Sequence, residues 1–254
     1  MSPKRLSVGL VLGVGILVGG VLVLGKVLAT PTWEFQGRNT AAWEHDLMSG
    51  DVTLSNRSRT VLDTEIIPKL SFVALQDTND SAFKLSLVNA LNGLPGVRIH
   101  SLNYKARRAQ ALKELGKFGP AAHSANPVLL QILASHDDEP LRGSAAEALG
   151  QIHSDPNVTV PALTACLENT IFDDQAAEAL GHFGSLAQSA IPKMLPRLVL
   201  GGKEAKQAVL VALPKIDPES AAKAGITKEN FTLLQMDPAA RMKAVKAWGA
   251  ETPK

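Results

Sequence analysis

The sequence predicts an all-α protein, an α-solenoid of stacked helix pairs preceded by one N-terminal transmembrane helix. Three observations predict it. An uncharged run from Leu6 to Gly25 has the length of a bilayer crossing. An alanine-rich unit recurs at intervals of 34, 31 and 33 residues. A proline marker recurs in step with it: Pro127, Pro161 and Pro192 stand 34 and then 31 residues apart.

The N-terminal run reads LSVGLVLGVGILVGGVLVLG. Its residues, at about 1.5 Å of rise each, span roughly 30 Å, the thickness of the hydrocarbon layer. A helix satisfies its backbone groups internally, so such a stretch can cross lipid. Lys4 and Arg5 precede it, and basic flanks stay in the cytoplasm. The expected arrangement is a cytoplasmic tail over 1–5, a membrane anchor over 6–28 and the remainder on the non-cytoplasmic side. Lys26 can snorkel to the far interface. Val27-Leu28-Ala29 also has the character of a signal-cleavage site, which leaves secretion after cleavage as the alternative. The apolar run exceeds the roughly 7–15 residues of a signal-peptide core, which favours the anchor. Both readings export the rest of the chain. Gly9 and Gly13, and Gly15 and Gly19, have the spacing that lets membrane helices approach, although glycine is common in such helices generally. Trp33 suits a lipid interface. Residues 29–38, with Pro31 and Gly37, read as a linker.

The clearest repeat is Arg142-Gly-Ser-Ala-Ala-Glu-Ala-Leu-Gly-Gln-Ile152. It aligns with Arg108 to Phe118, Asp173 to Phe183 and, degenerately, Lys206 to Ile216. Each unit holds two helices. The first is expected to start near the proline, with Pro196 kinking or delaying the one after Ile191-Pro192. The second is the alanine-rich segment, with Gly116, Gly150 and Gly181 expected to end it. The aspartates of His136-Asp-Asp-Glu139 suit a turn and a helix N-cap. Ala145, Ala148, Leu149 and Ile152 form an apolar stripe at helical spacing. One pair cannot cover that stripe, so neighbouring pairs must stack. Cys166, the lone cysteine, sits among Leu163, Ala165 and Leu167 and reads as a packing residue.

The pattern Arg-x-x-Ala-Ala-x-Ala-Leu-Gly-x-Ile, followed about nine residues later by Val-Pro or Ile-Pro, resembles the HEAT repeat in its bacterial phycobilisome-lyase-like form. The resemblance covers regular repeats over 104–217. Residues 39–103 look like divergent repeats, with Trp43, Arg57 and Arg59 in a first copy, Ile67-Pro68 opening another, and an inserted loop over 93–103. Residues 218–254 look like a C-terminal helical cap. The resemblance implies a protein-binding scaffold or adaptor.

Composition excludes other classes. A net charge of +2, from 26 basic and 24 acidic residues, with 4% aromatics, lacks the basic face and stacking platforms of a nucleic-acid binder. The sequence has no nucleophile elbow, phosphate loop or His-Glu-x-x-His motif. Deoxyhypusine hydroxylases use His-Glu dipeptides on a HEAT-like frame; no such dipeptide occurs here, and Glu44-His45 has the reverse order. No catalytic residue, cofactor, metal ligand or small-molecule substrate is therefore indicated. The runner-up to a scaffold is a lyase-like or enzyme-maturation factor on the same repeat.

The expected partner is a protein, and its expected contact is the face of the second helices that the family resemblance places on the inside of the curve. Aligned columns define this face. One column holds Gln110, Ser144 and Gln175, continued by Ala208. A second holds Lys113, Glu147 and Glu178, continued by Val211. A third holds Lys117, Gln151 and His182, continued by Lys215. Spacings of three and four place the columns together opposite the apolar stripe. A plain solvated face has the same pattern. Trp43 and Trp248 are expected to cap the two ends of the core.

Overall fold

The computed structural model describes residues 33–77, 86, 103–135 and 138–249. The uncharged run and the anchor expected over 6–28 lie outside the described residues, as do residues 93–102 of the inserted loop. Among the described residues, no helix is long and apolar enough to cross a membrane.

The described chain opens with structure where a linker was expected. Glu34–Phe35 (β1) pairs antiparallel with Arg38–Asn39 (β2). Gln36 and Gly37 join them with φ of 51° and 72°, the left-handed pair that a two-residue hairpin requires. The hairpin folds over Trp43 of α1 (Thr40–Met48). The indole Nε1 donates to the Phe35 carbonyl at 3.1 Å, and the Arg38 guanidinium stacks 4.5 Å from the ring. Trp33 is partly buried against the core, and its carbonyl accepts from the Thr40 amide.

Helix α2 (Val52–Val61) runs through a π-turn at Leu62–Ile66 into α3 (Ile67–Gln76). Ile67-Pro68 begins α3 without a break, so that the chain stays helical from Val52 to Gln76. Pro68 has no N–H to continue the ladder. The turn before it widens, with the Ile67 amide donating to the Leu62 carbonyl five residues back.

The helix pairs follow: α4 (Tyr104–Lys117), α5 (Asn126–Ala134), α6 (Glu139–Ile152), α7 (Pro156–Cys166), α8 (Asp173–His182), α9 (Ile191–Leu200) and α10 (Lys203–Ile216). The second helices α4, α6, α8 and α10 stack on one another in one layer, with α5, α7 and α9 as their partners in the other. One bond fixes the repeat register. Arg142 Nε donates to the Leu133 carbonyl at the end of α5, and Arg108 Nε donates to the Ala74 carbonyl at the end of α3. Helix α3 is therefore the first helix of the pair whose second helix is α4, and residues 77–103 are inserted between the two. Three further helices, α11 (Pro218–Lys223), α12 (Phe231–Met236) and α13 (Pro238–Gly249), follow α10, and α13 packs on α9. The stripe of Ala145, Ala148, Leu149 and Ile152 is buried, and so are Cys166, Trp43 and Trp248.

Two features of the repeat differ from expectation. Gly116, Gly150 and Gly181 do not end their helices, which run on to Lys117, Ile152 and His182. They lie where neighbouring second helices come closest. A Cβ on Gly150 would stand 2.6 Å from the Ala179 Cα, and one on Gly181 would stand 3.1 Å from the Ala212 Cα. The left-handed residues come later, at Gly119, His153 and Gly184, with φ of 54°, 36° and 54°.

The first helices also start differently from one another. Before α5 and α9, 3-10 turns at Gly119–Ala125 and Gly184–Ala190 carry the chain up to the proline, so Pro127 and Pro192 sit in the first turn. Helix α7 instead begins at Pro156 and carries Pro161 inside. Its different entry is held by Asn126. That buried amide donates to the Ser154 Oγ at 2.7 Å and to the Asp155 carboxylate at 3.0 Å, and His153 and Asp155 are both left-handed. Helix α9 starts at Ile191 and runs through Pro196.

Candidate partner-binding face

The second helices present their polar columns on one side because burial has claimed the other. In α6 the stripe at Ala145, Ala148, Leu149 and Ile152 is fully packed, and Ser144, Glu147 and Gln151 are left facing outward. The same division holds in α8, where Ala176, Ala179 and Leu180 are buried and Glu178 and His182 are exposed.

The three columns differ in depth. Lys113, Glu147, Glu178 and Val211 are all exposed and form the outermost line. Lys117, His182 and Lys215 are exposed, and Gln151 is half-buried. Gln110, Ser144 and Gln175 are half-buried, in the furrows between second helices. Gln175 Oε1 has no hydrogen-bond partner, and it lies 3.5 Å from where a Cβ on Gly143 would be. Its amide thus fills the furrow between α6 and α8. Ser144 Oγ donates back to the Pro140 carbonyl. Gln151 Nε2 donates to Glu147, and its side chain reaches over Gly116.

Electrostatics ties the outer residues together. Burial lowers the pKa of His182, the Lys215 ammonium lowers it further, and Glu178 and Glu147 oppose this from either side. His182 therefore favours its neutral form. Lys117 is engaged by Glu114 at 2.8 Å. Glu114 stands in the stripe where α6 has Ala148. It is buried, and its other oxygen accepts from Thr40 Oγ1 at 2.6 Å. That carboxylate docks the start of α1 onto α4. The departure from alanine at position 114 was the signal for this contact, and the repeat alignment passed over it.

Among the described residues no group of histidine, cysteine and carboxylate side chains is placed to hold a metal ion. His136 and Asp137 lie outside the described residues, while Asp138 caps α6 by accepting from the Leu141 amide. A hollow on the face lies between α8 and α10, a groove of about 310 Å³. Glu178, Ala208, Val211 and Lys215 of the columns line it together with Asp174, Glu204 and Gln207, which column reasoning missed. Asp174 and Gln207 are equivalent to Gly143, so aligning only the polar positions of α6 concealed them.

Residues 98–174 match the family model for HEAT repeats. The match ends in the first turn of α8, and HEAT repeats in general mediate protein–protein interaction. No curated protein and no solved structure matches the chain.

Proposed function

We propose that this protein is a non-enzymatic scaffold or adaptor, tethered to a membrane by its N-terminal helix, that holds a protein partner on the second-helix face outside the cytoplasm. The observation that carries the reading is the face itself. Four stacked second helices keep their polar columns in register, uncovered by any other described element, and the chemistry changes from helix to helix: lysines on α4, a glutamate on each of α6 and α8, an exposed valine on α10. A surface that varies along a stiff repeat distinguishes one partner segment from another by charge and shape. The tether rests on the uncharged run from Leu6 to Gly25 and the basic residues before it.

Photo-crosslinking in intact membranes tests the reading. A benzophenone side chain at Gln110, Glu147 or Gln175 is expected to capture one common partner, whereas the exposed Val158 on α7 captures none. Capture from Val158 alone sinks the face. An alkaline phosphatase fused after Lys254 is expected to be active; an inactive phosphatase beside an active β-galactosidase fusion overturns the topology.

A further inference from the structure

The groove between α8 and α10 is specific in its chemistry. Asp174 and Glu178 stand one helical turn apart on its α8 side, and Glu204, Ala208, Val211 and Lys215 follow at spacings of four, three and four on its α10 side. Each helix therefore turns one whole face into it. Asp174 and Glu204 lie in the first turns of their helices, beside the positive end of the backbone dipole. Lys215 is the groove's lysine, at the opposite end of α10. Between them Ala208, Ala212 and Val211 line the groove, Val211 standing 41% exposed at its rim.

Several carboxylates elsewhere in the fold are paired, and Glu147 on the neighbouring helix accepts from Gln151 Nε2. Asp46 is paired with Arg38, Asp77 with Arg107, Glu114 with Lys117 and Asp173 with Arg197. Asp174, Glu178 and Glu204 make no ion pair or side-chain hydrogen bond with any described residue. They are not arranged for a metal ion either. Three unpaired carboxylates beside Val211, with Lys215 at the far end of α10, leave a negative potential at their own end of the groove that a cationic group bearing its own apolar neighbour would relieve.

We infer that this groove seats a basic segment of the protein partner, an apolar side chain set over Val211 and flanked by lysine or arginine reaching Asp174, Glu178 and Glu204. The inference rests on the second-helix face being the docking surface and assigns the class of segment that face receives.

The test uses the full chain in nanodiscs and fluorescein-labelled 15-residue peptides read by anisotropy. One peptide carries leucines flanked by lysines and arginines. A second has every basic residue replaced by glutamate. The basic peptide is expected to bind at least tenfold tighter than its acidic twin. The combination Glu178→Gln with Glu204→Gln is expected to weaken it at least tenfold, and Val211→Ser at least threefold. Glu219→Gln, an exposed carboxylate on α11, leaves binding unchanged and controls for unspecific charge attraction. Equal binding of the two peptides, an unaffected double variant, or an equal loss with Glu219→Gln overturns the inference. The benzophenone captures at Gln110 and Glu147 are read in parallel. If those positions capture a partner while the basic peptide does not bind, the groove assignment fails and the docking face stands; if they capture nothing, the face itself fails.

Discussion

Adding one methyl group to each of three equivalent glycines should produce three different results, because the structure places different atoms in front of each. Gly150 is the strictest. A Cβ there meets the Ala179 Cα at 2.6 Å and its Cβ at 2.7 Å. Both atoms belong to a buried helix, so α6 and α8 must part. Overpacking of this kind costs about 1–3 kcal/mol. Against it, alanine inside a helix gains about 1 kcal/mol over glycine. The net expectation for Gly150→Ala is a loss of up to about 2 kcal/mol. Gly181 meets Ala212 at 3.0 and 3.1 Å, where a small adjustment suffices, so the two effects should nearly cancel. At Gly116 the nearest atom is the Gln151 Oε1, the end of a flexible side chain, with backbone only at 3.3 Å. Once Gln151 swings away, Gly116→Ala should be neutral or stabilising by up to about 0.5 kcal/mol. Urea unfolding followed by helical circular dichroism ranks the three. If all three lose the same amount, the glycines act as left-handed caps, where any Cβ carries the same backbone strain, and the close-approach argument is wrong.

Other perturbations probe the core, the turns and the charges. Leu149 is fully buried, and Leu149→Ala should cost about 2–5 kcal/mol; a loss under about 0.5 kcal/mol, typical of surface sites, refutes its place in the core. His153 holds a left-handed φ where the neighbouring repeats have Gly119 and Gly184, so His153→Gly should raise stability by about 0.5 kcal/mol, the strain relieved less the added chain entropy; a lower urea midpoint would refute it. Burial raises the pKa of Asp173 more than Arg197, 3.6 Å away, lowers it. The folded state then holds the proton more tightly than the unfolded one, so this residue's contribution is present at low pH and is lost as pH rises above its ordinary value of 3.8. The stability of the wild type relative to Asp173→Asn should fall as pH rises above 3.8, and a rise instead would show that the arginine dominates.

The repeat was legible because its apolar stripe and its proline marker keep one register, and stacked pairs translate sequence period directly into spatial period. Three features escaped. The hairpin at 34–39 depends on Trp43 and Arg38 closing over it, a contact that no local propensity in Glu34-Phe35 announces. The pairing of α3 with α4 was hidden by the insertion over 77–103, and it shows only when Arg108 and Arg142 are seen to bind equivalent carbonyls. The glycines were assigned to helix ends because a glycine near a last turn fits a C-cap and a close contact equally well; the distinction lies in the neighbouring helix. Of the candidate face, the columns were legible as positions. Their depth was not, since Gln175 and Glu178 differ by one turn in sequence but one fills a furrow and the other projects from it.

That difference in depth explains why the groove lies between α8 and α10 and not one repeat earlier. In the furrow between α6 and α8, the Gln175 amide lies against Gly143. One repeat later the equivalent pair is Ala208 and Asp174. Alanine is too short to bridge the furrow, and the space it leaves is part of the 310 Å³ groove. Replacing Ala208 with glutamine should rebuild the earlier furrow: the amide can lie across the groove and donate to the Asp174 carboxylate, a partner Gln175 lacks at Gly143. Ala208 is only partly buried and lines the groove, so the longer side chain can extend into open space. Stability should change by no more than about 0.5 kcal/mol. Binding of the basic peptide should fall at least tenfold, because the groove beside Val211 is covered and one carboxylate is engaged. The urea midpoint and the anisotropy titration are read on the same preparation. An Ala208→Gln protein that keeps its midpoint and still binds the peptide at full strength would show that the furrow's depth, and with it the equivalence of Ala208 to Gln175, has nothing to do with recognition.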